Sequence, residues 1–152
     1  MVEHPTSGVI GIGYEGRDAD TLLADLKGWN VKLLVDVRLN PISRKKGLSK
    51  KAWSELLVAN GIQYLHAPEL GNLKSNRDGY SELATPTGEA ARDSFRSRLS
   101  EDDAQATLET IACRAQDEFV AVMCFESDER HCHRREILTA VRSRLEEPVA
   151  TT

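Results

Sequence analysis

Residues 31–38 read VKLLVDVR, and this stretch decides the fold. From Val31 to Val37 it is nearly continuous aliphatic sequence. Such a run marks a strand covered on both faces, as in a parallel sheet. Upstream, Val9 to Tyr14 is a second apolar run that leads into glycine-rich sequence, and it reads as a strand. Between them, Ala19, Leu22, Leu23 and Leu26 recur at helical spacing from Asp18 to Lys27, with Gly28 as the stop. Downstream, Ser49 suits the N-cap of a helix from Lys50 to Asn60 that Gly61 ends. Ile62 to His66 and Phe119 to Cys124 are the third and fourth predicted strands. Residues 67–86 are rich in Pro, Gly, Asn, Asp and Ser, which predicts a loop of about 20 residues, longer than the usual connection. Helices are expected from Gly88 to Leu99, from Glu101 to Gln116 with Ser100 as cap, and from an Asp128 cap to about Leu145. Alternating strands and helices predict one three-layer α/β domain over residues 1–152, with its core at about 9–145. Its sheet is mostly parallel, has about four strands and is flanked by helices.

The bulk composition agrees with that class. The chain has 152 residues, 40% apolar and 29% charged, a globular balance. No apolar run approaches the roughly 18 residues that span a bilayer. The first residues lack the basic segment and long apolar core of a signal peptide, so a cytoplasmic location without membrane contact is expected. Cys113, Cys124 and Cys132 make an odd count, which without a secretion signal predicts reduced thiols. The net charge of -4 argues against a general nucleic-acid binder. Its distribution is uneven. Residues 38–51 hold six basic side chains and no acid, whereas the rest of the chain holds 14 basic and 24 acidic residues. This basic loop on an acidic body attracts an anionic partner, or else is a solvated loop of scattered lysines.

In open parallel sheets, ligands bind beyond the carboxyl ends of the strands. The predicted exits there carry Tyr14; Asp36, Arg38 and Arg44; His66, Glu69 and Gly71; and Cys124, Glu126, Cys132, His133 and Arg134. Asp36 and Arg38 are two apart on a strand and share a face. They either pair and anchor the loop, or leave Asp36 for acid/base work. Arg134 continues the apolar stripe of Ile137, Leu138, Val141 and Leu145, so it points toward the sheet. There it needs an acceptor: Asp36, Glu69, Glu126, or a phosphate bound at the helix start. Cys124 sits at the mouth of the crevice as a candidate nucleophile, with burial as packing the alternative. Cys132 lies in the first helical turn, facing away from the stripe. His66 and His133 are candidate bases for a thiol or partners for a carboxylate. A common hollow lined by Asp36, Glu69, Cys124 and Arg134 is the arrangement these readings require.

Three motifs carry little weight. The spacing from Cys124 to Arg130 matches a phosphatase loop, but three acids and no glycine would repel the phosphate. Cys124, His131, Cys132 and His133 lack the paired short spacings of a structural zinc site, so no metal is expected. Gly11, Gly13 and Gly16 match a dinucleotide fingerprint loosely, and no cofactor is expected.

The segments IGYEGR, LLVDVR, PISR at 41–44, HAPELG and VMCFESDERHCHRR, in this order, resemble the domain of unknown function 488 family from about Val9 to Leu145. The resemblance places the family's polar signature on Asp36, Arg38, Pro41, Arg44, His66, Glu69, Gly71, Cys124, Glu126, Cys132, His133 and Arg134. It implies the fold and the grouping of these residues, and no substrate. The LVDVR strand and strand-end cysteine also look a little like rhodanese sulfurtransferases, but the glycine-rich loop those enzymes use is missing after Cys124. The expected function is a small cytosolic enzyme for an anionic, phosphate-bearing ligand, nucleotides included. Asp36, Glu69, Cys124, Glu126 and His133 would do the chemistry. Tyr14, Arg38, Arg44, His66, Gly71, Cys132 and Arg134 would hold the ligand. The alternative is a non-catalytic module that binds nucleic acid or protein through residues 38–51.

Overall fold

The computed structural model describes residues 7–38, 48–71, 85–124 and 134–146, the side chains of residues 134, 135 and 146 excepted. Its elements run β1 (Gly8–Gly13), α1 (Ala19–Gly28), β2 (Val31–Asp36), α2 (Lys50–Ala59), β3 (Gln63–His66), a 3-10 turn (Pro68–Leu70), α3 (Pro86–Leu99), α4 (Asp102–Ala115), β4 (Phe119–Cys124) and α5 (Arg134–Glu146). The strands form one sheet in the order β1-β4-β2-β3, and every neighbouring pair is parallel. The α/β class read from the sequence is therefore the observed one.

Three layers follow from how each apolar stripe is buried. Leu22 and Leu26 of α1 and Trp53 and Leu57 of α2 pack on Ile12, Leu34, Ala121 and Met123. On the opposite face, Phe95 of α3, Leu108 and Ile111 of α4, and Ile137, Leu138 and Val141 of α5 pack on Leu33, Val35, Val120 and Val122. All six residues of β4 are buried, as a central strand with both faces covered requires.

One irregularity sets the facing of β2. Val31 pairs with Phe119, but Leu33 pairs with Val120, so Lys32 is the extra residue of a bulge. Without it, Val31 and Leu33 would share a face. Instead Val31 joins the α1/α2 core, Leu33 the other, and alternation resumes through Leu34 and Val35. Asp36 and Arg38 consequently fall on the α1/α2 face with Leu34.

Element ends differ from expectation in three places. α3 begins at Pro86, with Thr85 accepting from the Gly88 amide at 3.0 Å. Proline at the first helical position loses no bond, which is why the helix starts inside the predicted loop. Ser100 closes α3 instead of capping α4, and its hydroxyl donates to Ser97 O at 2.6 Å. The turn after α1 is made by Asn30 at φ 58°, with Gly28 still helical. Asparagine tolerates the left-handed region better than most residues. The predicted Asp128 cap lies outside the described residues.

Leu34 has no exposed surface and sits mid-strand in the α1/α2 core. Leu34→Ala is expected to lower unfolding stability by roughly 2–5 kcal/mol. Urea denaturation followed by circular dichroism measures this, and a loss well under that range would contradict close packing there.

Candidate functional site

Because all four strands are parallel, their exits share one edge. Along it run Gly13, Cys124, Asp36 and His66, in the order of the sheet. The backbone beyond is tied across the same edge. Tyr14 N donates to Cys124 O, Val37 N to Met123 O and Ala67 N to Asp36 O.

At the centre, Asp36 is fully buried and Arg38 is 7% exposed. Arg38 Nε donates to Asp36 Oδ1 at 2.9 Å and Nη2 to Oδ2 at 2.6 Å, a two-pronged ion pair. The Arg38 amide also donates to Oδ1 at 3.1 Å, and Tyr64 Oη donates to Oδ2 at 2.6 Å. Four donors thus occupy the roughly four lone-pair positions of one carboxylate. Arg38 Nη1 reaches Leu48 O at 2.8 Å, bringing the start of α2 to the cluster. The guanidinium lies over the Tyr14 ring, 5.3 Å from its centroid, a cation–π arrangement.

Burial opposes the charge on Arg38, but hydrogen bonding and attraction to Asp36, with help from Tyr14, outweigh it and raise its pKa. Tyr64 is pushed well above the ordinary phenol range, first by burial and then by its bond to Asp36. The cluster is accordingly built with a charged arginine and a neutral tyrosine. His66 Nε2 lies 2.7 Å from Arg38 O. The structure therefore brings Tyr14, Asp36, Arg38 and His66 together.

Glu69, Gly71 and Cys124 are placed elsewhere. Glu69 accepts from Thr107 of α4 at 2.6 Å. Arg98 of α3 donates to Gly71 O at 2.8 Å and to Pro68 O at 3.1 Å, clamping the segment after β3. Cys124 packs in the core of the α3–α5 face. The expected common hollow is divided by the sheet: Asp36 and its donors are on one face, and Cys124 is on the other with the helices that hold Glu69. Arg44, Glu126, Cys132 and His133, and the side chain of Arg134, lie outside the described residues.

Cys124 requires a second correction. Its sulfur is disulfide-bonded, and Cys113 is free. A sulfur held in a disulfide has no thiolate, so in this state Cys124 offers no nucleophile. The expectation of reduced thiols therefore fails for Cys124, since an odd cysteine count is equally compatible with one pair and one spare thiol. Among the described residues, no three His, Cys, Asp or Glu side chains gather as a metal site would require.

Tyr64, Leu48, Arg98 and Thr107 support these positions and were missed as such. Tyr64 alone left a signal: it is two residues before His66 on the same strand, so it shares that face. The helical residues left none.

With this geometry in view, comparison with known families becomes informative. The model for the domain of unknown function DUF488 matches residues 18–141, more than half of the chain. The chain belongs to that family. The DUF488 match spans β2, β3 and β4 with their exits and leaves out β1 and Tyr14. Neither curated proteins nor solved structures give a significant match.

Two outcomes follow from the cluster and a third from the cysteines. Asp36→Asn orphans a buried guanidinium and is expected to cost roughly 3–5 kcal/mol, whereas Asp36→Leu with Arg38→Met costs less, because no charge is stranded. Equilibrium denaturation of the two variants compares them. The neutral Tyr64 hydroxyl contributes stability that is complete below the ordinary phenol value of about 10 and fades as pH rises through its higher folded value. Phenolate absorbance should therefore show an ionisation step above the ordinary range that is absent from Tyr64→Phe; if the step removed by Tyr64→Phe lies at the ordinary value instead, the Tyr64–Asp36 bond is refuted. A chromogenic disulfide reagent should modify Cys113 directly and Cys124 only after a reductant is added.

Proposed function

We propose that this chain is a small enzyme acting on a phosphate-bearing anion seated at the carboxyl edge of its sheet. The observation that carries this reading is the alternation of the exits. β1 and β2 lead to α1 and α2 on one face, while β3 and β4 lead to α3, α4 and α5 on the other. In the sheet order these alternate strand by strand. Adjacent exits that lead to helices on opposite faces mark the usual ligand position in such sheets.

Anion preference is supported by the basic stretch at 38–51. Arg38 is matched by Asp36, so the support comes from its other members. Of these, Lys50 and Lys51 are exposed in the first turn of α2, where no acid accompanies them. Glu69 is the carboxylate suited to acid/base work. Its bond to Thr107 uses one oxygen, and it makes no ion pair among the described residues. Asp36 serves by holding Arg38.

The test is thermal stability in inorganic phosphate or nucleoside monophosphates, against chloride at equal ionic strength. Binding should raise the midpoint, by the equivalent of about 2.7 kcal/mol at a hundredfold excess over Kd. Glu69→Gln should keep that stabilisation and lose turnover of any ester the protein cleaves. No stabilisation by any phosphate compound would overturn the reading. The exposed Lys50 and Lys51 also favour a second reading, a module binding nucleic acid through the basic stretch. Binding that falls steeply with salt and with Lys50→Glu, without turnover, would select it.

A further inference from the structure

His66 closes β3 and pairs in register with Asp36. Its Nε2 is 2.7 Å from the backbone oxygen of Arg38. A carbonyl oxygen can only accept, so Nε2 carries the hydrogen. In the neutral ring the lone pair then resides on Nδ1, and no described residue bonds that atom. The carbonyl is itself held still, because Arg38 is fixed by three bonds to Asp36 and one to Leu48. His66 as a residue is half-buried, not sealed from solvent. This is how an imidazole is prepared for proton transfer: one nitrogen anchored, the other presented. The charged or titratable groups of the same cluster are already engaged with each other, Asp36 with Arg38 and Tyr64.

We infer that His66 is the proton-carrying residue of this edge and that Nδ1 is the exchanging atom, which rests on the phosphate-ligand reading above. The partner is an O–H group on the ligand, a hydroxyl or the P–OH of a phosphate monoanion. The ligand O–H bond breaks, its electrons stay on oxygen, and an N–H bond forms at Nδ1. Nε2–H keeps its bond to Arg38 O throughout, so the imidazolium forms without moving.

The test uses the full chain uniformly labelled with nitrogen-15, and inorganic phosphate and adenosine monophosphate as probes. At a pH where the ring is neutral, long-range nitrogen–proton spectra should show hydrogen on Nε2 and a bare Nδ1, and either probe should shift the Nδ1 resonance. His66→Gln, whose amide reaches the Nε2 position, should retain the parent melting temperature, whereas the shorter His66→Asn should not. Hydrogen on Nδ1 overturns the inference. So does a probe that shifts other strand-exit resonances and leaves Nδ1 unmoved, although the proposed function then survives. If neither probe shifts any resonance, the ligand reading fails and the inference falls with it.

Discussion

A fully buried carboxylate needs a cation beside it, and Asp36 finds one two residues along its own chain. Residues at this spacing on a strand project from the same face. The long arginine side chain can therefore turn back and meet both carboxylate oxygens. The same carboxylate takes the Arg38 amide, which would otherwise continue the sheet ladder. A side chain competing in this way for backbone donors ends regular structure. The pair thus also decides where β2 stops. Val37 N still bonds β4 and Ala67 N still bonds Asp36 O, but Arg38 O turns to a histidine ring. Apolar residues of similar volume would hold such a position at least as well energetically. Here the ion pair holds the chain at the point where β2 ends.

The second tie across this edge comes from Tyr64. Burial and the bond to Asp36 keep its hydroxyl protonated. It therefore donates without adding a second negative charge beside Asp36. One positive, one negative and one neutral group close the cluster with no net charge. That balance explains how Arg38 stays charged at 7% exposure. It also means that Arg38 brings no uncompensated charge to this edge.

The fold was legible because strands covered on both faces leave long aliphatic runs, and VKLLVDVR and FVAVMC are such runs. Parallel pairing followed from the intervening helices. Strand order was not legible: nothing local in β4 says that it inserts between β1 and β2. The bulge at Lys32 was hidden too, since a lysine on a strand looks the same whether paired or extra. That one residue reverses which face Asp36 occupies relative to Val31. The Asp36–Arg38 pair was readable from spacing alone, and Tyr14 and His66 from their places at strand ends. The Tyr64 partner needed β2 and β3 to be known neighbours. Arg98 and Thr107 needed helices to be docked, which sequence periodicity does not do.

Separation of the candidate residues by the sheet changes the chemistry that can be argued. A nucleophile at Cys124 with a base at Asp36 would need both on one face, with a free thiol. Instead the sulfur is bonded and packed on the α3–α5 side, and the carboxylate is saturated on the α1/α2 side. As it stands, the bonded sulfur presents no thiolate to a substrate. Under the proposed reading, a ligand over the edge would meet His66 from one face and Glu69 from the other. Approach from two sides suits a reaction that takes a proton at one atom and returns it at another. Such a site depends on the spacing of β3 from its helices, which Arg98 fixes through the carbonyls of Pro68 and Gly71. Positioning from α3 and ion pairing within β2 thus act on the same short segment of strand exit, from opposite sides of the sheet.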